Sequence, residues 1–320
     1  MTEMNENTQN RVQTMTEVAR SSVQTWECDQ MGHMNVQFYM EKATQGLAAL
    51  GVKLGLGRDF SARHGARLMA RDHHVRFLRE QRPGAPFFWR AGVLDVTETA
   101  MRVYSEMVNP TNGEIAASVT ALVELRGEND RLPRKLPDSA IAQARLLMID
   151  MPAHGAPRGL EITPPRAAPM LADAEAMGMV AAYMGEVQET MCDGQGYLLT
   201  RHYMGIVSDA ISNLLAATHG EDRSQSVGGN KTGGAALEYR FIYRRYPKVG
   251  DVCVLRSGLK AVSSKTYIWA HWLFDYESGA CLATAEAVAI ALDLTTRKAM
   301  AIPDDMRAEL ERLVIPGLGV

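Results

Sequence analysis

The feature that most constrains the fold of this chain is an internal repeat, which extends over most of its 320 residues. At a shift of 164 positions the halves share identical residues, among them Cys28 and Cys192, Asp29 and Asp193, Gly32 and Gly196, Tyr39 and Tyr203, Arg76 and Arg240, Phe77 and Phe241, and Pro83 and Pro247. At a shift of 166 the series continues with Arg90 and Arg256, Gly92 and Gly258, Gly113 and Gly279, Pro137 and Pro303, and Ile149 and Ile315. Because the matches keep their order, we predict two copies of one unit, with two extra residues in a β-hairpin of the second copy.

Each copy has the same predicted order of elements: a strand, a helix, a loop-rich stretch and four consecutive strands. In the first copy the helix covers 36–50, and the strands lie near 21–28, 67–79, 85–97, 100–109 and 114–126. In the second copy the helix covers 201–216 with Thr200 as its N-cap, and the strands lie near 185–192, 236–246, 251–262, 265–276 and 280–293. A short amphipathic helix closes each copy after Pro137 or Pro303. This order predicts an α+β fold, in which an antiparallel sheet wraps around a helix.

The domain boundaries are predicted from the same pattern. Residues 1–19 are polar and contain no apolar core segment, so we predict a flexible leader and not a secretory signal. The first domain then covers 20–150, a proline-rich linker covers 151–176, and the second domain covers 177–320. No apolar run approaches the roughly 20 residues that span a bilayer, and the expected location is the cytoplasm.

Composition excludes several classes of protein. With 46% hydrophobic and 22% charged residues, the chain has the composition of a globular protein and not of a disordered one. A net charge of -3 provides no overall basic field that would attract nucleic acid or anionic lipid. The cysteines have no C-x-x-C spacing, so buried structural thiols are predicted in preference to disulfides or a catalytic cysteine; they are Cys28, Cys192, Cys253 and Cys281.

The stretch from Cys28 to Leu50 predicts a strand, a turn that carries an acid, and a helix. Asn35 is placed to cap the helix, and Gly51 to end it. Asp29 and His33 therefore lie beside the first free backbone N–H groups of a helix. Those groups carry partial positive charge, which stabilises an oxyanion or a phosphate.

This stretch resembles the opening of the hot-dog thioesterases, in which a strand is followed by D-x-x-G-H-x-N, or a close variant, and by a helix with an aromatic residue. Asp29, Gly32, His33, Asn35 and Tyr39 stand at the matching positions. The resemblance implies two fused hot-dog domains, each a curved antiparallel sheet around a long central helix. It further implies that the two domains pair side by side as an internal dimer with clefts between them. A homo-oligomer of the whole chain is a further possibility.

The resemblance also implies the roles of these residues. Asp29 acts as general base or nucleophile in thioester hydrolysis, and backbone N–H groups near Asn35 and Val36 hold the oxyanion. A turn-forming or capping acid is the structural alternative for Asp29. His33 either donates to the thioester carbonyl, holds the water, or binds a loop carbonyl. The expected substrate-binding residues are Gly32, Val36, Tyr39, Gly196 and Tyr203.

The second copy departs from the pattern, because Tyr197 and Leu199 stand where the first copy has His33 and Asn35. Whether Asp193 is a second catalytic acid therefore stays open. The second helix also carries Asp209, and some hot-dog thioesterases take their catalytic carboxylate from this helix. The resemblance thus makes Asp209 an alternative catalytic acid, in its own site or in a mixed site with Asp29; a solvated helix acid is the structural alternative.

Two further groups are weighed and set aside. His73 and His74, with Asp72 and His64, suggest a metal site, but adjacent strand residues point to opposite faces, so no metal is predicted. The glycine-rich stretch 228–234 lacks the spacing of a phosphate-binding loop. We predict an ordinary surface loop there, with a contact to the phosphates of coenzyme A as the alternative.

The predicted function is that of an acyl-CoA thioesterase, which hydrolyses an acyl-CoA thioester to a free acid and CoA and uses no cofactor beyond the CoA of its substrate. An acyl-ACP thioesterase is the alternative, because both carriers end in the same pantetheine arm. A non-catalytic acyl-CoA-binding module is the alternative outside the enzymes. Neither nucleic acid nor a membrane is an expected partner.

Overall fold

The computed structural model describes residues 15–219, 232–293, 295–296 and 298–320. The leader up to residue 14 and residues 228–231 of the glycine-rich stretch 228–234 lie outside the described residues. The last three residues of that stretch, 232–234, begin a strand and are not the predicted surface loop. The first copy contains β1 (Thr16–Ser22), α1 (Val36–Lys53), α2 (Arg58–His64), β2 (Ala66–Phe77), β3 (Pro86–Val96), β4 (Ala100–Val108), β5 (Ile115–Gly127), β6 (Pro133–Arg134) and α3 (Asp138–Leu146). The second contains α4 (Leu171–Ala176), β7 (Val180–Glu186), α5 (Thr200–His219), β8 (Thr232–Tyr243), β9 (Val252–Val262), β10 (Thr266–Asp275), β11 (Cys281–Asp293), β12 (Lys298–Ala299) and α6 (Asp304–Arg312).

The twelve strands of the described residues form one antiparallel sheet, whose main path runs β1-β3-β4-β5-β2-β8-β11-β10-β9-β7. β6 pairs with β5, and β12 with β11. Each copy places its long helix, α1 or α5, on the same face of this sheet. The predicted α+β fold of two fused hot-dog domains is therefore confirmed. The sheet ends on both sides in a seven-residue strand with a bulge, β1 between Glu17 and Ala19 and β7 between Ala181 and Tyr183.

The register of the sheet confirms the repeat but shows that the two-residue insertion lies at a different place from the predicted one. Phe77 pairs with Ala117, and at the corresponding point Tyr243 pairs with Ala283. The equivalent of Phe77 is therefore Tyr243, at a shift of 166, and not Phe241. The extra residues of the second copy lie between α5 and β8, so the predicted hairpin insertion is wrong, as are the matches of Arg76 with Arg240, Phe77 with Phe241 and Pro83 with Pro247.

Most predicted elements lie within a few residues of the observed ones, but the first strand of each copy does not. The strands predicted at 21–28 and 185–192 are found at Thr16–Ser22 and Val180–Glu186. Short 3-10 turns at Thr25–Glu27 and Glu189–Met191 follow them, because the chain must bend there to enter the helix. β1 therefore begins inside the predicted leader, and Thr200 is the first residue of α5 rather than its cap.

Two helices were not predicted. α2 lies in the stretch between α1 and β2 that was predicted to be loop-rich, and it ends at Gly65, whose φ of 56° is left-handed. α4 occupies the last residues of the predicted linker, which also contains a 3-10 turn at Ala153–Gly155. Both helices have fewer than eight residues, too few to produce a clear periodic signal in the sequence.

The two copies are joined at the central seam, which is the pairing of β2 with β8. On the outer face of the seam, Asp72 Oδ2 lies 3.1 Å from the Arg240 guanidinium, and Glu238 Oε1 lies 2.5 Å from His74 Nε2. All four side chains are buried. Because Asp72 is the repeat equivalent of Glu238, and His74 that of Arg240, these contacts are related by the pseudo-twofold axis of the sheet.

The linker lies across the outer face of the central seam. The backbone N–H groups of Arg158 and Gly159 donate to the Glu238 carboxylate at 3.1 and 2.6 Å. Further along the sheet, His154 Nε2 lies 2.6 Å from the fully buried carboxylate of Glu106. Burial alone would raise the pKa of each carboxyl, but the hydrogen bonds that it accepts lower the pKa below its usual value. Both acids are thus ionised anchors for the linker.

On the inner face, α1 and α5 lie side by side and cover the core. Their approach is close: a Cβ added at Gly205 would lie 2.9 Å from Gln37 Oε1. An ion pair between Glu41 and Arg201 also joins the two helices. Because each helix packs on its own half of the sheet and on the other helix, the N-terminus of α1 is bounded by residues of the second copy.

We expect replacement of Glu238 by Gln to lower the free energy of unfolding by about 2 kcal/mol, because the linker N–H groups and His74 lose a charged acceptor. Denaturant unfolding followed by circular dichroism measures the change. Glu98→Gln is the control, since Glu98 forms only an exposed ion pair with Lys135 and its loss costs less than about 0.5 kcal/mol. Equal midpoints for the two variants would contradict an anchoring role for Glu238.

Candidate active site

The predicted acidic turn of the first copy is a closed loop of backbone hydrogen bonds. Asp29 N–H donates to the His33 carbonyl at 3.0 Å, and Gly32 N–H donates to the Asp29 carbonyl at 3.0 Å. Asp29 Oδ1 accepts the N–H of Met31 at 2.9 Å, which leaves Oδ2 outside the turn. Gly32 has a φ of 74°, and a Cβ there would meet nothing within 4 Å. Glycine is therefore required by the backbone conformation and not by a close contact.

Asn35 caps α1, as predicted. Its Oδ1 accepts the N–H of Gln37 at 3.1 Å, and its Nδ2 donates to Ser208 Oγ of α5 at 3.0 Å. The N–H of Asn35 itself donates to the Glu27 carbonyl at 2.8 Å and is not available to a ligand. Within the described residues the N–H of Val36 has no acceptor. Of the two N–H groups predicted for the oxyanion, Val36 is thus the one that is free at the positive end of the helix.

His33 lies between two carboxylates. Its Nδ1 is 3.6 Å from Asp29 Oδ2, and its Nε2 is 3.7 Å from Glu80 Oε1. These distances are contacts rather than hydrogen bonds. The Asp29 side chain is 20% exposed and the His33 side chain 24% exposed, so both can reach a ligand in the cleft. Of the predicted catalytic residues, the structure therefore brings Asp29, His33 and Asn35 together at the start of α1.

Buried side chains next to the turn fix its position relative to α1 and β2. Lys42 Nζ of α1 lies 2.6 Å from the Glu27 carboxylate, with both side chains almost fully buried. Tyr39 packs edge-on against Phe77 with ring centroids 5.1 Å apart. Burial raises the pKa of Tyr39 above its usual value, and its hydroxyl stays protonated. The turn is therefore fixed to both α1 and β2, which positions Asp29 before any ligand binds.

In the second copy the same turn has a different environment. Asp193 Oδ1 accepts the N–H groups of Gln195 and Tyr197, at 3.0 and 3.1 Å. Its Oδ2 binds the guanidinium groups of Arg67, at 3.1 Å, and of Arg131. Both oxygens of Asp193 are occupied, whereas Asp29 has no Lys or Arg partner among the described residues.

The loop between β5 and β6 of the first copy packs on the Asp193 turn of the second copy. The guanidinium of Arg131 lies 4.0 Å from the ring centroid of Tyr197, and the Tyr197 hydroxyl donates to the Asn129 carbonyl at 2.6 Å. Arg131 is 5% exposed and has a φ of 55°, an uncommon conformation for a residue other than glycine. We define the Asp193 lock as Asp193 with Arg67 and Arg131.

A family model for the thioesterase-like superfamily matches residues 23–147 and again residues 187–310. The chain belongs to this superfamily. The two matches coincide with the two copies of the repeat, and they confirm the resemblance carried by the acidic turn. The protein is a thioester hydrolase of the hot-dog fold. No protein with a curated function matches the sequence.

Solved structures with the same arrangement of two copies share the fold of this thioesterase. A putative oleoyl thioesterase from Lactobacillus plantarum has 11% identity and a TM-score of 0.64, over 86% of this chain and 96% of that one. An acyl-ACP thioesterase from Bacteroides thetaiotaomicron has 10% identity and a TM-score of 0.62, over 85% and 96%. A 12:0-ACP thioesterase from Umbellularia californica has 14% identity and a TM-score of 0.62, over 85% and 93%.

The other candidates in this thioesterase lie on α5 and in the turn of the second copy. On α5, Ser208 contacts Asn35, whereas the charge of Asp209, after burial, helps to raise the pKa of Tyr183 on β7. Burial raises the pKa of the Asp209 carboxyl. Gly196 lies in the Asp193 turn with a φ of 77°, and the buried Tyr203 donates to the Arg245 carbonyl at 3.0 Å.

The remaining predictions of reactive or ligating residues have simple outcomes. All four cysteines are free thiols, but only Cys253 and Cys281 are buried as predicted, whereas Cys28 and Cys192 are partly exposed. Burial raises the pKa of each thiol above its usual value. His73 and His74 point to opposite faces, as predicted: His73 Nδ1 lies 2.9 Å from the Tyr243 hydroxyl on the inner face. Within the described residues, no three His, Cys, Asp or Glu side chains form a cluster that could hold a metal ion. None of the helices described is long and apolar enough to span a bilayer.

No sequence pattern predicts three of the residues that lie near the two acidic turns. Glu80 follows β2 in a loop, and only the folded chain brings it to His33. Ser208 is one of many serines, although its neighbour Asp209 was a candidate. Arg131 lies in a turn-rich stretch where its left-handed conformation would ordinarily indicate Gly or Asn.

We expect Asp193→Asn to lower the free energy of unfolding by about 3 kcal/mol, because it leaves the buried Arg131 without its anion. Asp130→Asn is the matched control. Asp130 lies in the same loop, but its ion pair with Arg134 is exposed, and Asn can still accept the N–H of Leu132. Urea unfolding of both variants tests the difference, and a loss of under about 0.5 kcal/mol for Asp193→Asn would contradict the Asp193 lock.

Proposed function

We propose that the protein hydrolyses acyl-CoA thioesters in a cleft at the start of α1, called the first cleft, with Asp29 as the catalytic carboxylate that acts as general base or nucleophile. The observation that carries this proposal is the difference between the two turns. Asp29 has one oxygen free of the turn and no Lys or Arg partner among the described residues, and it lies beside the free N–H of Val36. Asp193 has every oxygen engaged by N–H groups or guanidinium groups. Among the described residues, the first turn therefore combines a carboxylate oxygen that no Lys or Arg engages with a free oxyanion donor, whereas the Asp193 carboxylate is fully engaged.

The proposed reaction begins when a water molecule in the cleft gives a proton to Asp29 and adds to the thioester carbonyl. The negative charge that develops on the carbonyl oxygen is stabilised by the Val36 N–H at the start of α1. Collapse of the tetrahedral intermediate breaks the C–S bond, and the departing CoA thiolate takes the proton from Asp29. The products are a free acid and CoA. In the nucleophilic variant, Asp29 attacks the carbonyl directly, the C–S bond breaks and CoA leaves as the thiolate. Water then hydrolyses the mixed anhydride to regenerate the Asp29 carboxylate and release the acid, and its proton goes to the thiolate.

The neighbours of Asp29 have positioning roles in this proposal. His33, in contact with Asp29 and Glu80, orients the water or donates to the carbonyl oxygen. Asn35 fixes the direction of the first turn of α1, because it binds Gln37 on one side and Ser208 on the other. The reaction needs no cofactor, since coenzyme A enters as part of the substrate.

An acyl-ACP thioesterase is the second candidate. It is favoured by the names of two of the structures that share the double fold, each of which is called an ACP thioesterase. The carrier is decided by the surface around the cleft and not by Asp29, because both carriers present the same thioester. Comparing kcat/KM for one acyl chain carried on CoA and on ACP distinguishes the two.

We expect Asp29→Asn to lower kcat/KM for acyl-CoA by a factor of about 100 or more, since a positioned general base contributes roughly that amount. Release of free thiol from a panel of acyl-CoA esters measures the rate. Asp130→Asn, which changes an exposed acid far along the chain, is the control and keeps the parent rate.

Two other variants decide between the candidate acids. If Asp209→Asn alone abolishes hydrolysis, the catalytic carboxylate is the one on α5. If Asp193→Asn removes activity while the protein stays folded, the second cleft is catalytic and the proposal of a single site is wrong. A parent protein that binds acyl-CoA tightly but releases no thiol from any ester would be a binding module and not an enzyme.

A further inference from the structure

The middle of α5 carries a hydroxyl group whose own proton has no role in the proposed reaction. Ser208 Oγ accepts the hydrogen bond from Asn35 Nδ2 at 3.0 Å, across the boundary between the two copies. A hydroxyl group is also a donor. Among the described residues the hydroxyl hydrogen of Ser208 has no acceptor. This donor therefore lies beside the start of α1 without a fixed partner.

The direction of the Ser208 side chain is unusual for a hydroxyl within a helix. Serine and threonine in helices often donate to the carbonyl four residues earlier. Thr44 of α1 and Thr218 of α5 do so, at 2.8 Å from the Met40 carbonyl and 2.7 Å from the Leu214 carbonyl. Ser208 instead contacts α1, so its hydroxyl is directed across the interface between the two helices.

Helix packing holds this hydroxyl at the N-terminus of α1. Gly205 lies three residues before Ser208 and on the same side of α5, and a Cβ there would lie 2.9 Å from Gln37 Oε1. The Asn35 amide binds the Gln37 N–H on one side and Ser208 on the other. Because both ends of this amide are engaged, the Ser208 hydroxyl is fixed against the residue that precedes Val36.

The second turn lacks this arrangement. At a shift of 164 the equivalent of Asn35 is Leu199, and the equivalent of Ser208 is Thr44. Leu199 has no polar side-chain group, and the Thr44 hydroxyl donates within its own helix. A hydroxyl is thus directed across the two copies beside the accessible acid Asp29 and not beside the engaged Asp193. Two positions that lie 173 residues apart differ between the copies together with the state of the acid.

The chemistry of the reaction gives this hydroxyl a use. The oxyanion of an acyl-transfer reaction is held by several preorganised donors, and serine hydroxyls are among the groups that serve. The free Val36 N–H supplies one donor. Because Ser208 Oγ accepts from an amide, its O–H is polarised and donates more strongly. The O–H can rotate toward the carbonyl oxygen as negative charge develops, and it keeps its proton throughout.

We propose that Ser208 is a second oxyanion donor of the first cleft. The Val36 N–H of one copy and the Ser208 hydroxyl of the other then bind the same oxygen atom, so that the catalytic site is shared by the two copies. This inference rests on the proposed function, because it adds a catalytic residue to the same reaction. It also gives a reason for the fusion of two units whose acids differ in accessibility.

The test measures kcat and KM for the acyl-CoA ester that the parent protein hydrolyses fastest. We expect Ser208→Ala to lower kcat by about 100-fold with little change in KM, since loss of one oxyanion donor typically has that effect on the transition state. Thr44→Ala is the matched control at the equivalent position and keeps the parent kcat. S-octyl-CoA, a thioether without a carbonyl, should inhibit the parent and Ser208→Ala with the same Ki.

A double-mutant cycle separates a donor from a residue that only orients Asn35. Asn35→Ser keeps a capping group for α1, but its side chain is too short to reach Ser208. If Ser208 binds the oxyanion, Ser208→Ala lowers kcat by the same factor in the Asn35→Ser background as in the parent. Ser208→Thr keeps the hydroxyl and should recover part of the rate. Circular dichroism checks the folding of each variant, and alanine favours the helix.

The outcomes distinguish this inference from the proposed function. If the parent protein hydrolyses no ester, the proposed function fails and the inference fails with it. If hydrolysis is lost in Asp29→Asn but Ser208→Ala keeps more than half of the parent kcat, the proposed function stands and the inference is overturned. The inference is also overturned if Ser208→Ala has no effect in the Asn35→Ser background, because Ser208 would then act only through Asn35.

Discussion

The pairing of β2 with β8 is the constraint on which the rest of the structure depends. It joins two half-sheets into one, and the buried contacts of Asp72 with Arg240 and of His74 with Glu238 fix its register. A slip of one residue would place these charges among apolar side chains of the inner face. Because the register is fixed, α1 and α5 are held next to each other, and the start of α1 meets the middle of α5. The contact of Asn35 with Ser208 depends on this alignment.

The same acidic turn has taken two forms in one molecule. Its backbone is conserved between the copies, with a left-handed glycine at Gly32 and at Gly196. The surrounding side chains decide what the acid can do: His33 leaves Asp29 accessible, whereas Arg131 covers Asp193. In a symmetric dimer of identical chains, any change in one cleft is also made in the other. Here the two turns lie on one chain and can change independently, which allows one to bind a ligand and the other to stabilise the fold.

The sequence predicts the fold well, because strand alternation and turn residues are local patterns. The internal repeat shows each of these patterns twice, so each copy supports the interpretation of the other. The sequence also predicts the turn that contains Asp29 and His33 and the helix cap Asn35, since both are local structures. The sequence does not predict the features that depend on strand pairing between distant parts of the chain. The position of the insertion is set by the sheet register, and identities such as Phe77 with Phe241 arise by chance in apolar strands. Glu80, Ser208 and Arg131 reach their clefts only through tertiary structure, so no local pattern marks them.

The two edges of the sheet have a consequence for the behaviour of the protein in concentrated solution. A long sheet usually exposes two rows of unpaired backbone groups, onto which another chain can add as a further strand. Here fusion of the copies turns β2 and β8 from potential edges into the centre. The strands that remain at the rims, β1 and β7, are short and bulged, and a bulge twists an edge away from a straight partner. A sheet of twelve strands thus presents little template for aggregation.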